Sequence, residues 1–150
     1  MWQAFEARIA ENEQDRSSPL RPDFFTLLRD SGLTPTDGVT KKMVAFRFGQ
    51  GDRLLWEIEY PGRNFFLHHK WRNQLENAGF ACELRPYQAD KKDGGRHSAL
   101  SREWSFGQDD CFVLRIESTG ELQRLLGIIM PENGDLHLDP AAVSYTHLRA

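Results

Sequence analysis

The chain has 150 residues, of which 39% are hydrophobic and 27% are charged, and this is the size of one ordinary globular domain. No apolar run approaches the roughly 18 residues of a membrane span, and 10 Phe, 4 Trp and 3 Tyr argue against a disordered chain. The formal charge of −3 gives no overall attraction to nucleic acid or to anionic membranes. We therefore expect a domain that folds in water and has no membrane partner.

The last residues of the chain do not continue the patterns before them. Residues 143–150 read VSYTHLRA, and back-translation of this string fits the mosaic-end adapter of transposon-based shotgun sequencing. Cloning scars are excluded from fold reasoning, and we treat residues 142–150 in the same way. The expectation is a single domain over residues 1–141, truncated at its C-terminal end, from an environmental fragment of a prokaryotic or phage protein.

The start of the chain and its cysteines bear on the cellular compartment. Residues 1–14 carry Glu and Arg throughout, without the apolar stretch and small-residue cleavage site of a signal peptide. The two cysteines, Cys82 and Cys111, lie within apolar runs, where free cysteine is commonly buried. We therefore expect two unpaired thiols and a cytoplasmic protein.

The first part of the chain has a helical period. Apolar residues at helical spacing predict an amphipathic helix over residues 2–14. A second helix is predicted over residues 22–31, with Pro22 in its first turn and Gly32 after its last. Residues 34–38 have the composition of a loop.

The period then changes from 3.6 to 2. Alternating apolar residues predict strands over residues 44–48, 54–60 and 64–69, separated by turns at 49–52 and 61–62. Strands joined by such short turns form an antiparallel meander.

The remaining half of the chain has mixed periods. It predicts a helix over residues 70–78, a strand over 80–87 and a charged loop over 88–95. Two further strands are predicted over 101–106 and 110–117, and a final helix begins after Ser118. Ser118 and Glu121 have the spacing of a capping box. The run Cys111–Ile116 is apolar on both faces, which is typical of an inner strand. The expected fold class is α+β, with a mainly antiparallel sheet (the three-strand meander plus two or three further strands) packed by N-terminal, central and C-terminal helices.

Two basic clusters stand out in this acidic chain, and the first is HHKWR at residues 68–72. It lies where a strand passes into a helix, and a helix N-terminus presents free N–H groups to anions. Lys70 and Arg72 are unfavourable to the helix dipole there, and a bound anion, or Glu57 or Glu59, would relieve them. The alternative is a strand end whose polar residues only face water.

The second cluster is KKDGGRHS at residues 91–98. Paired glycines let backbone N–H groups approach a ligand, and Lys91, Lys92, Arg96 and His97 surround them. The string is neither a Walker A loop nor a dinucleotide fingerprint. The alternative is a charged, flexible hairpin loop.

A divalent-metal nuclease is the enzymatic alternative. Such a core needs an acid on one strand and an acid-x-Lys on the next. Asp52, Glu57 and Glu59 are candidate ligands, but the next strand ends in His68-x-Lys70, and Mg²⁺ prefers oxygen to imidazole.

Other catalytic or metal sites have little support. His68 and His69 are adjacent on a predicted strand, so we expect them to point to opposite faces rather than share a zinc ion. No Gly-x-Ser-x-Gly elbow is present for a serine hydrolase. We expect no cofactor.

The leading hypothesis is a non-enzymatic cytoplasmic binding or accessory domain that contacts nucleic acid or another phosphate-bearing ligand through both clusters. Its candidate binding residues are His69, Lys70, Arg72, Lys91, Lys92, Arg96 and His97. The alternatives are the metal-dependent nuclease or hydrolase and a structural or protein-interaction domain, whose partner would dock through the truncated C-terminal region.

Overall fold

A computed structural model describes residues 22–36, 42–58 and 62–131, together with Gln3, Glu6 and Ala7, which are helical. The rest of the helix predicted over residues 2–14 lies outside the described residues. So do the predicted boundary at residue 141 and the tail 142–150.

The described residues form an α+β fold, as predicted. Apart from the helical Gln3, Glu6 and Ala7, the α-helices are α1 (Pro22–Asp30), α2 (Arg72–Asn77) and α3 (Thr119–Ile129). Six strands comprise β1 (Thr34–Pro35), β2 (Met43–Phe48), β3 (Asp52–Glu57), β4 (Asn64–His68), β5 (Glu83–Arg85) and β6 (Cys111–Arg115). Short 3-10 helices comprise His69–Trp71, Lys92–Gly95 and Ser98–Ser101.

The strands form one sheet in the order β1-β2-β3-β4-β6-β5, and every neighbouring pair is antiparallel. The predicted meander is confirmed as β2-β3-β4. The run that is apolar on both faces forms β6, which lies between β4 and β5 and is therefore an inner strand, as predicted.

One face of the sheet, which we call the helix side, packs against α1, α2 and α3. Trp56 and Phe65 are opposite each other on β3 and β4, and their rings stack at 5.8 Å. Ser118 is confirmed as the N-cap of α3, since its Oγ accepts from the Glu121 backbone N–H at 3.2 Å, but the returning bond of Glu121 goes to the residue before the cap. Glu121 Oε1 in turn accepts from the Glu117 backbone N–H at 2.9 Å.

The other face, which we call the loop side, is covered by residues 96–107. Leu100 and Phe106 lie over the apolar residues of the sheet, with Trp104 packed beside them. The strand predicted over residues 101–106 is wrong, because this segment is a 3-10 helix followed by turns. Its alternation of Trp104 and Phe106 with polar residues arises from covering a sheet face, not from pairing with a strand.

Two further boundaries differ from the prediction. The strand expected over residues 80–87 pairs only as Glu83–Arg85, at the edge of the sheet. The segment expected to be a loop at residues 34–38 begins with the two-residue strand β1, because Thr34 pairs with Arg47 of β2. Tertiary pairing partners, which local composition does not report, decide both boundaries.

Candidate functional site

Asp109 and Asp110, which precede β6, contact the first basic cluster and the segment that leads to the second. Asp109 Oδ2 lies 3.0 Å from His68 Nε2, and the Asp110 carbonyl accepts from the His69 backbone N–H at 3.1 Å. Asp110 Oδ1 accepts from the Tyr87 backbone N–H at 2.9 Å, and Tyr87 lies four residues before the second cluster. In the sequence, two aspartates directly before a strand are typical of a turn and do not by themselves indicate these contacts.

We call the surface around this junction the basic edge, and its residues are His69, Lys70, Arg72, Lys91 and Lys92. His69, Lys70, Lys91 and Lys92 are exposed, and Arg72 is half-buried. The other two predicted binding residues, Arg96 and His97, lie behind this edge on the loop side.

Nearby carboxylates already balance the cations of the first cluster. Lys70 Nζ forms an ion pair with Asp52, and Arg72 Nε lies 3.4 Å from Glu76 Oε2. The predicted relief of Lys70 by Glu57 is therefore wrong, because Glu57 instead accepts a hydrogen bond from Asn64. Glu59, the other predicted partner, lies outside the described residues.

The two histidines of this cluster lie side by side. β4 ends at His68 and the chain turns into a 3-10 helix at His69, so their ring centroids are 4.2 Å apart rather than on opposite faces of a strand. His68 Nδ1 accepts from the Lys70 backbone N–H at 3.1 Å, which leaves Nε2 to donate to Asp109. Both ring nitrogens of His68 are therefore engaged by protein groups.

Arg96 joins β5, β6, the 3-10 helix Ser98–Ser101 and the turn at Gly107 through all five of its N–H donors. Nε donates to Ser101 Oγ at 2.9 Å, and the two terminal nitrogens donate to the carbonyls of Arg85 and Gly107 at 2.9 Å. The remaining acceptors are the Leu100 carbonyl at 3.3 Å and Cys111 Sγ at 3.6 Å. Its guanidinium thus has no free donor for a ligand.

The paired glycines of the second cluster serve packing. Gly94 has a φ of +72°, and a Cβ built there would lie 2.6 Å from Cε1 of Tyr87. The Tyr87 ring also contacts the Arg96 guanidinium, at 5.4 Å from its centroid. Lys91 and Lys92 project from this tightly packed loop, and neither forms an ion pair with a described residue.

The acidic residues of the nuclease hypothesis do not converge. Asp52 and Glu57 stand at the two ends of β3, about 17 Å apart at about 3.3 Å per residue. Five positions along a strand also place their side chains on opposite faces. Among the described residues, no group of three His, Cys, Asp or Glu side chains is arranged to hold a metal ion.

A cleft of about 260 Å³ lies on the loop side, between the sheet and residues 95–100, and we call it the loop-side cleft. Its floor contains Phe66 and Val113. Its polar lining includes Glu57, Asn64, Arg85, Arg115 and His97. Sequence reasoning identified His97 but missed Asn64, Arg85 and Arg115 as site residues, because strand register alone places them together.

The two cysteines are unpaired, as predicted, and their thiols have low reactivity. Cys111 is buried and Cys82 is half-buried. Burial raises the pKa of each thiol to about 11, although Arg96 acts in the opposite direction on Cys111. Both thiols are therefore protonated at neutral pH and are poor nucleophiles.

Comparison with family models, curated proteins and solved structures found no significant match for this chain. None of the helices among the described residues has the length and apolar composition to cross a membrane.

Proposed function

We propose that this chain is a non-enzymatic binding domain of a prokaryotic or phage protein, and that its basic edge contacts a phosphate-bearing polyanion such as nucleic acid. The observation that carries the proposal is that Asp109 and Asp110 contact His68 and His69 of the first cluster and also Tyr87, four residues before the second cluster. Phosphate contacts need clustered, accessible cations rather than a positive net charge.

The residues of the basic edge differ in whether a carboxylate already pairs with them, and we therefore propose different roles for them. Lys91 and Lys92 are exposed and unpaired among the described residues, so they contact phosphate directly. Lys70 and Arg72 exchange Asp52 and Glu76 for phosphate, which costs little because exposed ion pairs contribute about 0–1 kcal/mol. Arg96 holds the loop that carries the two lysines and does not itself contact the polyanion.

We further propose a cytoplasmic location. Unpaired Cys82 and Cys111 are compatible with a reducing compartment.

Salt dependence of binding to a fluorescent DNA duplex tests the polyanion proposal. If Lys70, Arg72, Lys91 and Lys92 each neutralise one phosphate, log K falls against log salt with a slope of about −3.6, at about 0.9 per phosphate contact. The double variant K91Q/K92Q then has a slope closer to zero by about 1.8.

The matched control is R29Q/R63Q, which removes two exposed cations away from the basic edge. It has the same net charge as K91Q/K92Q, and we expect it to retain the wild-type slope. Binding that is insensitive to salt, or an equal loss in both double variants, contradicts the proposal. In that case the structural or protein-interaction hypothesis is favoured.

A further inference from the structure

The loop-side cleft contains a row of three polar residues on neighbouring strands. Glu57 of β3 is opposite Asn64 of β4, and Asn64 is opposite Arg115 of β6. Residues opposite each other in an antiparallel sheet are about 4.5–5.5 Å apart at Cα. An acid, an amide and a guanidinium therefore stand side by side at one end of an apolar floor.

At the Glu57–Asn64 end of this row, one hydrogen-bond acceptor has no partner among the described protein groups. Asn64 Nδ2 donates to Glu57 Oε1 at 2.8 Å, and because a carboxylate can only accept, this bond sets the orientation of the amide. The opposite atom, Asn64 Oδ1, is buried and has no hydrogen-bond partner among the described protein groups. A buried acceptor without a partner is unfavourable, so this end of the cleft suits a ligand that donates.

The donor end has a positive potential. Arg115 is 60% exposed in its side chain and lies 3.8 Å from Glu83, which also pairs with Arg85 at 3.2 Å. Such exposed pairs are weak and leave guanidinium donors for another anion. His97 Nδ1 accepts from the Ala99 backbone N–H at 3.0 Å, so its Nε2 is the donor that remains.

Arg96, which also lines the cleft, adds to this potential. Its acceptors are carbonyls, a hydroxyl and a thiol, and it forms no ion pair with a carboxylate of the described residues. A half-buried cation that is solvated only by neutral groups favours an anion nearby.

We propose that the loop-side cleft binds a free α-amino acid with an apolar side chain. Its ammonium group donates to Asn64 Oδ1 and faces Glu57, and its carboxylate faces Arg115 and His97. These two groups sit on one carbon of the ligand, which matches the adjacent strand positions of Asn64 and Arg115.

The size of the cleft and the nature of its floor support this ligand class. Phe66 and Val113 offer an apolar surface to the ligand side chain. A volume of about 260 Å³ is below the range of about 300–1,000 Å³ typical of drug-sized ligands, and it suits a small molecule. The cleft is separate from the basic edge, so the proposal does not depend on polyanion binding.

Calorimetric titration of the whole chain with L-leucine tests the proposal. Two further probes each lack one charged group: 4-methylpentanoate has no ammonium and 3-methylbutylamine has no carboxylate. We expect leucine to bind at least about tenfold more tightly than either probe. Equal binding of leucine and 4-methylpentanoate overturns the proposal, because it reduces the cleft to a simple anion site. So does the absence of leucine binding at about 10 mM.

Variants then locate the site. E57Q and R115Q are each expected to weaken leucine binding at least about tenfold. The control variants R63Q and E117Q break an exposed ion pair outside the cleft and are expected to bind as the wild type. Leucine binding that survives both E57Q and R115Q overturns the assignment. K91Q/K92Q is expected to bind leucine normally, which separates a failure of this site from a failure of the basic edge.

Discussion

Replacement of Arg96 by Lys is the most informative stability test of this fold. The guanidinium joins β5, the 3-10 helix at Ser98–Ser101 and the turn at Gly107. Lysine retains the positive charge but offers one nitrogen in place of a planar fork with five donors. The substitution therefore separates the contribution of hydrogen-bond geometry from that of charge.

The expected loss follows from the acceptors that Arg96 serves. An ammonium group can reach one or two of the three carbonyls, so the others lose a hydrogen bond to a charged group, although the Leu100 carbonyl keeps its bond from the Phe106 backbone N–H. Hydrogen bonds to charged groups contribute about 1.5–3 kcal/mol each. Allowing for partial solvation of this half-buried site, we expect R96K to lower the free energy of unfolding by about 3 kcal/mol.

Urea unfolding followed by tryptophan fluorescence measures this change. The midpoint should fall while the m-value stays constant, since the native fold is retained. Hydrogen exchange should accelerate in residues 97–107 before the rest of the sheet. The control K92Q, at an exposed position, should change stability by less than about 0.5 kcal/mol. A loss below about 1 kcal/mol for R96K refutes the assignment of Arg96 as the residue that holds the loop side together.

Two further predictions concern the packing of the loop and the thiols. G94A should cost about 2–4 kcal/mol in urea unfolding, because its Cβ would overlap the Tyr87 ring at a positive φ. G107A, with a φ of +60° but no atom within 4 Å, should cost only about 1–2 kcal/mol, and equal losses would contradict the steric argument. Burial raises the pKa of Cys82 and Cys111 to about 11, so a thiolate-specific reagent at pH 8 should label the urea-unfolded chain much faster than the native one. Equal labelling rates would refute the role of burial. The free energy of unfolding should also fall from pH 9 toward pH 11, because the thiols of the unfolded chain ionise first.

Much of the fold was predictable because its signals are local. Alternation predicted β2, β3 and β4, and the capping box predicted the start of α3 at the correct residue. The segment at 101–106 failed because alternating aromatic residues also occur where a loop covers a sheet face. Period alone does not distinguish the two arrangements.

The basic edge was partly predictable and the loop-side cleft was not. Both clusters are contiguous strings, so the sequence identified their residues. The carboxylate that pairs with Lys70 and the carbonyls that accept hydrogen bonds from Arg96 are visible only in three dimensions. Glu57, Asn64 and Arg115 are far apart in the chain, and only the register of three strands aligns them.

The sequence by itself determined the fold class, the meander and the two basic clusters, since each depends on neighbouring residues. Tertiary structure alone decided which cations remain accessible. Lys91 and Lys92 project from their loop, whereas Arg96, four residues beyond Lys92, directs every donor inward. The physical reason is that a hydrogen bond or an ion pair depends on where its partner lies in space, and these partners belong to distant segments of the chain.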